Sequence, residues 1–415
     1  MSSTKSIKEK LGFGNFGSYD FLFFCIWSLN IIMYYFRVFS SRIIGVNTMD
    51  NPIITIFIVV GIIVSFSYIK KNIKQFDILL YSAIGGLYYS HMVLYPQNAP
   101  YLHDLAFDYF ITVLPLYFLF LCFNVEKSLP MLRTIAIASI IIDFVVLFLL
   151  GGAAKYGFGD EEYHGMTMAY GILPHVLIEI WMSFRNRSMR DIIFSCIGCL
   201  LLLSMGTRGP ILCLAVFVIG YLLFFGEFRH KSRSRVIICI VGIMVIWLIE
   251  PFIKILNIVL VSMGMSTRIT SMILNNSLDD MNGRDTIGDF VREAINQGPF
   301  WGYGLAGDRT ILSGTYLQGG FSHNILTELQ ASFGLIPGII IFGGILYFIF
   351  KVFRHPTGHN NKVFFLLLVS MSCSLWVSGS FLMDNVIYMM FGFGVNILRR
   401  NSAANRTYYA IESNK

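Results

Sequence analysis

Arg208 has the setting of an anion-binding residue. It lies in SMGTRGPIL (204–212), between two strongly apolar runs. A helix break at GTRGP would expose backbone N–H groups beside a guanidinium, and this combination binds phosphate well. The flanking glycines would let a ligand approach closely. The alternative is an arginine that extends its side chain to a membrane interface.

His323 and Asn324 have the polarity of an active site. They lie in GGFSHNILTEL (319–329), in a chain with only eight histidines. A neutral histidine accepts a proton near pH 7, and an asparagine can orient it or bind a sugar hydroxyl. Glu328 could hold a hydroxyl or the histidine. The alternative is a capped helix start, with Ser322 or Asn324 as N-cap and His323 solvated.

Two further arginines belong to a predicted helix in NGRDTIGDFVREAINQGPF (282–300). Apolar residues recur there at helical spacing, and Gly298-Pro299 predicts its end. Arg284 opens the helix and could bind an anion, or pair with Asp285 in solvent. Arg292 could also bind an anion, or form an i,i+3 ion pair. The turn FWGYGLAGD (300–308) follows; its aromatic rings suit sugar stacking and equally suit a membrane interface.

The composition shows what must position these residues. Hydrophobic residues make up 55% of the 415 positions and charged residues only 13%, against about 25% charged in a soluble domain. Apolar runs of about 20 residues recur, the length that crosses a bilayer. The sequence predicts an all-α, polytopic transmembrane helix bundle. About 12 spans are predicted, at 18–36, 52–69, 76–95, 106–124, 132–151, 166–184, 190–205, 209–226, 235–262, 331–353, 363–382 and 384–398.

The basic residues orient this bundle. On the predicted topology, 22 of the 31 Lys and Arg residues fall on one side. The positive-inside rule then places both termini in the cytoplasm. It also accounts for the net charge of +7 through topology and anionic lipids, without a nucleic-acid partner. The predicted organisation is nine spans in 1–262, one large outer loop with short helices in 263–330, and the last three spans with a cytoplasmic tail in 331–415.

Asp143, His175 and Glu179 fall inside predicted spans, where ionisable groups are costly and should face the bundle interior. His175 and Glu179 are four residues apart, beside Pro174. Internal hydrogen bonds between helices are the favoured interpretation, and a proton relay is the alternative. No zinc, P-loop or Rossmann pattern is visible, so neither metal nor cofactor is predicted.

Three of these stretches, in their order, resemble the superfamily of O-antigen polymerases (Wzy-type) and O-antigen ligases. They are SMGTRGPIL, GRDTIGDFVREAINQGPFWGYG and HNILTELQASFGLIPG, within about residues 195–345. The family has an arginine–glycine turn, an arginine that opens a loop helix, a G-x-G, and an HN-containing start to a late span. The chain departs from the family at Thr207, where serine is frequent, and at Pro210. Its middle outer loop (152–165) is short and acidic, which leaves the acceptor site open.

The resemblance implies a metal-independent membrane glycosyltransferase of GT-C type, multi-pass in the bacterial inner membrane. Its donor would be an oligosaccharide on undecaprenyl pyrophosphate. Arg208 and Arg284 would grip the pyrophosphate, with Arg284 part of the catalytic set, and His323 would activate or orient the acceptor hydroxyl. Asn324, Arg292 and the G-x-G residues Gly302 and Gly304 would contact substrate. Membrane lipids and a chain-length regulator and flippase of the same pathway would be partners.

A polymerase of lipid-linked repeat units, for O-antigen or capsule, is the favoured function. The first alternative is a ligase that transfers the glycan to lipid A core. It would share the donor chemistry and therefore the same visible residues. A more distant alternative is a twelve-span transporter or flippase, in which Asp143, His175 and Glu179 would form the relay. Such transporters tend to be built from two similar halves, and no internal repeat is visible.

Overall fold

Helices make up most of the part of the chain that the structure describes. The computed structural model describes residues 69–145, 161–205, 207–226, 284–313, 315, 320–354, 359–377 and 379–412, with isolated positions between 59 and 66 and between 251 and 275. No strand occurs among these residues. The predicted all-α class is therefore confirmed there. The predicted spans 18–36, most of 52–69 and most of 235–262 lie outside the described residues.

The chain divides into two compact units, each discontinuous in sequence. The first comprises residues 1–50 and 126–280, and the second comprises residues 51–125 and 281–415. In chain order the helices are α1 (Gln75–Leu94), a 3-10 turn (Pro96–Asn98), α2 (Ala99–Phe107), a π-helical turn (Asp108–Val113), α3 (Pro115–Leu121), α4 (Val125–Phe144), α5 (Glu161–Asn186), α6 (Met189–Ser204), α7 (Arg208–Phe225), α8 (Arg284–Gln297), α9 (Gly307–Leu312), α10 (Ile325–Phe333), α11 (Leu335–Phe353), α12 (His359–Val377) and α13 (Asn385–Glu412).

Three helical segments in the described residues are long and apolar enough to cross a membrane. They are Pro96–Leu121, α7 and α11. Along α11, Ile336, Ile340 and Phe350 are at least half exposed. A soluble protein would not leave such a helix face uncovered, so the exposure fits contact with lipid. The chain thus has the character of a membrane protein.

The first unit packs α5 against α6 and α7. Gly198 of α6 lies against Val176 of α5, where an added Cβ would come within 2.8 Å of the valine side chain. Small residues let two helices approach in this way. At the other end of α6, the buried Asp191 carboxylate accepts hydrogen bonds from Arg133 and, at 2.9 Å, from Asn186. This contact ties α4 and α5 to the start of α6.

The second unit is organised around α13, which packs along α3. Gly392 provides the close approach, because an added Cβ there would overlap the Tyr117 carbonyl. Arg399 of α13 donates to both oxygens of the buried Asp77 carboxylate, at 2.9 and 2.7 Å. The Tyr117 hydroxyl donates to the same carboxylate at 3.0 Å. Paired charge and hydrogen bonds are what a buried carboxylate requires.

Several span limits differ from the prediction. The predicted span 331–353 is divided at Gly334, which has φ 96°, so α10 ends before it and α11 begins at Leu335. The predicted span 106–124 belongs to a helical stretch that already begins at Pro96. The last helix continues past the predicted limit of 398 to Glu412. Hydropathy does not fix these limits, because an apolar run continues across Gly334, whereas the helices at Pro96 and after residue 398 extend into polar sequence.

Candidate functional site

The predicted loop helix is present as α8, from Arg284 to Gln297. Val291 and Ile295 are buried in a small core with Leu312 of α9 and Ala331 of α10. The charged face of α8 is exposed. α8 is therefore amphipathic, as predicted, and its apolar face packs on the segments that carry the other candidate residues. Arg284 opens the helix as predicted; its side chain lies outside the described part of the structure.

Arg292 lies on the exposed face of α8. Its guanidinium pairs with the Asp289 carboxylate and donates from Nε to the Gly288 carbonyl at 3.1 Å. The ion-pair alternative is thus the arrangement in the structure. Since 60% of the Arg292 side chain stays exposed, the predicted substrate contact remains a prediction.

The 300–308 turn is built on the end of α10. Tyr303 N–H donates to the Ala331 carbonyl at 2.8 Å, and Gly304 N–H donates to the Ser332 carbonyl at 3.1 Å. Gly302 and Gly304 have φ of 74° and 84°, a region that favours glycine. An added Cβ on Gly302 would overlap Gly334 N and lie 2.8 Å from the Ala331 carbonyl oxygen. The structure therefore gives both glycines of the predicted G-x-G a packing role.

Replacing Gly302 by alanine should destabilise the second unit by about 2–4 kcal/mol, from overpacking and a left-handed backbone. Gly343→Ala is the matched control, because nothing lies within 4 Å of an added Cβ there and alanine is the better helix former. The measurement is thermal unfolding of the full-length chain in detergent. Equal unfolding temperatures for the two variants would show that the turn is not packed tightly on α10.

Two polar residues that the sequence analysis missed hold the same turn. Leu305 N–H donates to Nδ1 of His91 on α1 at 2.9 Å. Asn98, fully buried after α1, donates from its amide to the carbonyls of Tyr303 and Leu305 at 2.6 and 2.9 Å. The available signal was a histidine within an apolar helix, since such residues face the protein interior and need a partner.

Asn324 is the N-cap of α10. Its Oδ1 accepts from Leu326 N at 3.0 Å and from Thr327 N at 3.2 Å. The capped-helix alternative is therefore correct for Asn324. The cap engages the carbonyl oxygen, so the part of this side chain best placed for a substrate hydroxyl is the amide NH₂ group.

His323 precedes this cap with an unusual backbone. Its φ is 52°, in the left-handed region that few non-glycine residues adopt. The imidazole is partly exposed, and its ring lies 4.0 Å from the ring of Phe321, centroid to centroid. A partly exposed, conformationally constrained histidine at the start of a helix suits a role in chemistry at the surface of this unit.

Beneath this segment lie four buried polar residues, called the buried ionic cluster below: Asp308, Arg309, Glu328 and Ser380. None is more than 9% exposed. Nη1 of Arg309 lies 3.3 Å from Oδ1 of Asp308 and 3.6 Å from Oε1 of Glu328, and Nη2 donates to the Ser380 hydroxyl at 3.2 Å. The Ser380 hydroxyl and, at 2.9 Å, Phe381 N–H donate to Glu328. Glu328 therefore binds the segment before α13, and the alternative hydrogen bond to His323 is not formed.

The buried ionic cluster has two carboxyl groups for one guanidinium. Burial and, to a smaller extent, the Asp308 carboxylate raise the pKa of Glu328, whereas Arg309, Ser380 and Phe381 N–H lower it; the net result is a pKa of about 7. The cluster therefore tends to hold one proton near neutral pH, which balances its charge. The groups that face the Glu328 carboxyl are Asp308 and Arg309 on α9, Ser380 and Phe381 N–H before α13, and Tyr388 on α13.

The stability of this region should fall with rising pH. The folded-state pKa of Glu328 is raised from 4.5 to about 7. The contribution of this carboxyl group to the free energy of unfolding is therefore complete below about pH 4.5 and is lost as pH rises through about 7. Amide hydrogen exchange of α10 in the full-length chain, corrected for intrinsic rates between pH 5 and 8, should show the loss. Glu328→Gln, which cannot ionise, should remove it; the same pH dependence in this variant would contradict the assignment.

Arg208 is described within the first unit. α6 ends at Ser204 and α7 begins at Arg208, so the predicted helix break is present. The Arg208 side chain is partly exposed. Gly209 is buried, and an added Cβ there would overlap the Tyr170 hydroxyl. Because Gly209 has no side chain, it makes room for Tyr170 and not for a ligand. Arg208 itself lies at the start of a long helix, where backbone N–H groups favour anions.

Asp143, His175 and Glu179 are buried in the first unit, as predicted. The favoured hydrogen bonds between helices are not formed among the described residues, where no polar side-chain atom of these three has a hydrogen-bond partner. Among the described residues no three His, Cys, Asp or Glu side chains gather as metal ligands would.

Thus α8, the 300–308 turn and the start of α10 come together in the second unit, and Arg208 belongs to the first. The participation of Asp308, Arg309 and Ser380 is not predicted from the sequence. An adjacent Asp-Arg pair directly after a glycine turn was the only local signal. In comparisons with known proteins, no family model, no curated protein and no solved structure matches this chain.

Proposed function

We propose that this protein is a polymerase of lipid-linked oligosaccharide repeat units. It would transfer a glycan from undecaprenyl pyrophosphate to a sugar hydroxyl of the next repeat unit. The proposal includes about twelve spans, cytoplasmic termini and a place in a bacterial inner membrane with the site on the outer face. A chain-length regulator and a flippase of the same pathway are its proposed protein partners.

One observation carries the proposal. The stretches that resemble the polymerase and ligase superfamily between residues 284 and 333 pack on one another in the second unit, around Val291, Ile295, Leu312 and Ala331. This arrangement leaves His323 partly exposed at the start of α10, directly before the apolar helix α11. A site beside a membrane helix is what a lipid-anchored donor requires.

The proposed reaction forms one bond and breaks one bond, and side chains of this protein handle the proton and the leaving group. The acceptor hydroxyl oxygen forms a bond to the anomeric carbon of the donor, and the bond from that carbon to the pyrophosphate oxygen breaks. His323 takes or orients the hydroxyl proton. Undecaprenyl pyrophosphate leaves with the electron pair, and the guanidinium groups of Arg208 and Arg284 stabilise its growing negative charge. No metal is part of this proposal.

Arg208→Lys should impair polymer formation severely, because lysine lacks the planar fork that binds phosphate oxygens at two points. The first-unit control is Arg187→Lys, since Arg187 lies in the connection between α5 and α6 on the predicted cytoplasmic side. The measurement is the ladder of surface polysaccharide with equal amounts of inserted protein. A normal ladder in Arg208→Lys would mean that Arg208 does not bind the donor and only extends its side chain to the membrane interface.

A deletion strain of the host tests the function itself. Surface glycolipids with a single repeat unit on the lipid core would support the polymerase. Lipid-linked polymer that never reaches the core would identify the ligase instead. Repeat units trapped on the cytoplasmic side would identify a flippase. An unchanged polysaccharide would reject all three.

A further inference from the structure

His323 has a backbone that its neighbours must enforce. A φ of 52° is unfavourable for histidine, and such conformations persist only where the surrounding structure over-determines them. The contacts that fix the residues on either side of His323 are therefore candidates for a part in its function.

Upstream of His323, both neighbours bind the buried ionic cluster. The Ser322 N–H donates to Oδ2 of Asp308 at 2.8 Å, in a buried hydrogen bond. The guanidinium of Arg309 lies over the Phe321 ring, 5.4 Å from its centroid. The Phe321 ring in turn packs on the His323 ring.

Downstream of His323, the chain returns to the same cluster. Asn324 caps α10, and one turn later Glu328 lies 3.6 Å from Arg309 and accepts from Ser380. Residues 321–328 are thus attached at both ends to groups that contact Arg309. A closed arrangement of this kind fixes the backbone between its ends.

We propose that Asp308 and Arg309 are positioning residues for His323, which hold the segment 320–324 against the buried ionic cluster and so fix the place of the imidazole. The inference rests on the proposed function, in which His323 meets the acceptor hydroxyl. A displacement of about 1 Å of a reacting group costs up to about 100-fold in rate, so this clamp would contribute to catalysis without touching substrate.

Two substitutions at Asp308 separate positioning from charge. Asp308→Ala and Asp308→Asn both remove the carboxylate charge, and both leave Arg309 balanced by Glu328. Neither variant therefore leaves an unpaired buried charge, the change that would unfold the unit. Only asparagine keeps an oxygen that can accept from Ser322 N–H.

The experiment compares both variants with the wild type as full-length chains. The rate of amide exchange in 320–324 should rise about tenfold or more in Asp308→Ala, because that variant loses a hydrogen bond to a charged acceptor. In Asp308→Asn the rate should stay near that of the wild type. The rate at which diethyl pyrocarbonate modifies His323 should differ from the wild type in Asp308→Ala and not in Asp308→Asn. In membrane vesicles that contain the host's own lipid-linked repeat units, polymer formation should fall at least about tenfold in Asp308→Ala and be largely retained in Asp308→Asn.

Equal exchange in the two variants would overturn the proposal, whatever their polysaccharide. Different exchange with equal rates of polymer formation would also overturn it, because the clamp would then have no effect on the reaction. If wild-type vesicles form no polymer, the proposed function fails and with it the catalytic purpose of the clamp, whereas the exchange data still report whether Asp308 holds the segment.

Discussion

His323→Ala abolishes polymer formation while the chain still inserts in the membrane: this is the largest effect that we expect. A group that takes or orients a proton in the transition state contributes about 10²–10⁴-fold to the rate. The measurement is the chain-length ladder of surface polysaccharide at equal protein level. A normal ladder would remove His323 from the mechanism.

The control for this substitution is another histidine of the same unit. His103 on α2 has a side chain that is 83% exposed, so His103→Ala should leave the ladder unchanged. His323→Gln then separates the two proposed roles. Glutamine can hold a hydroxyl by a hydrogen bond and cannot take a proton near pH 7, so residual polymer in this variant would indicate positioning of the acceptor, and its complete loss would indicate a base.

Arg309→Met should destabilise the second unit by about 3–5 kcal/mol, the cost of removing one partner from a buried ionic arrangement. Asp308 and Glu328 would lose their only guanidinium within the buried ionic cluster, and both are fully buried. The measurement is thermal unfolding of the full-length chain in detergent. Because protonation of Glu328 would offset part of the excess negative charge, the loss should be smaller at pH 5 than at pH 8.

Arg292→Met is the matched control for Arg309. It removes the same side-chain type from an exposed i,i+3 ion pair with Asp289 on α8, and such pairs contribute about 0.2–1 kcal/mol. Its unfolding temperature should therefore stay close to that of the wild type. Similar losses in the two variants would mean that Arg309 is not the centre of a buried ionic cluster.

Much of the local structure could be predicted because its causes lie within a few residues. The apolar spacing along α8 is a property of that helix alone, and it places Val291 and Ile295 in a core as expected. The cap by Asn324 is equally local, since its Oδ1 reaches the N–H groups two and three residues later. The break before Arg208 follows from its own glycines and proline.

The division between α10 and α11 could not be predicted in this way. The apolar run continues across Gly334, so composition indicates one span. Gly334 takes its φ of 96° where an added Cβ would overlap the carbonyl oxygen of Phe300. The cause is therefore a segment about thirty residues away in the chain.

By itself the sequence determined that the chain is helical and apolar enough for a membrane, that a break precedes Arg208, and that an amphipathic helix begins at Arg284. Only the tertiary structure decided that Asp308, Arg309, Glu328 and Ser380 share one buried ionic cluster beneath His323. The reason is physical: helix periodicity and capping are set by neighbours in the chain, whereas a buried charge is stabilised only by groups that folding brings to it from distant positions.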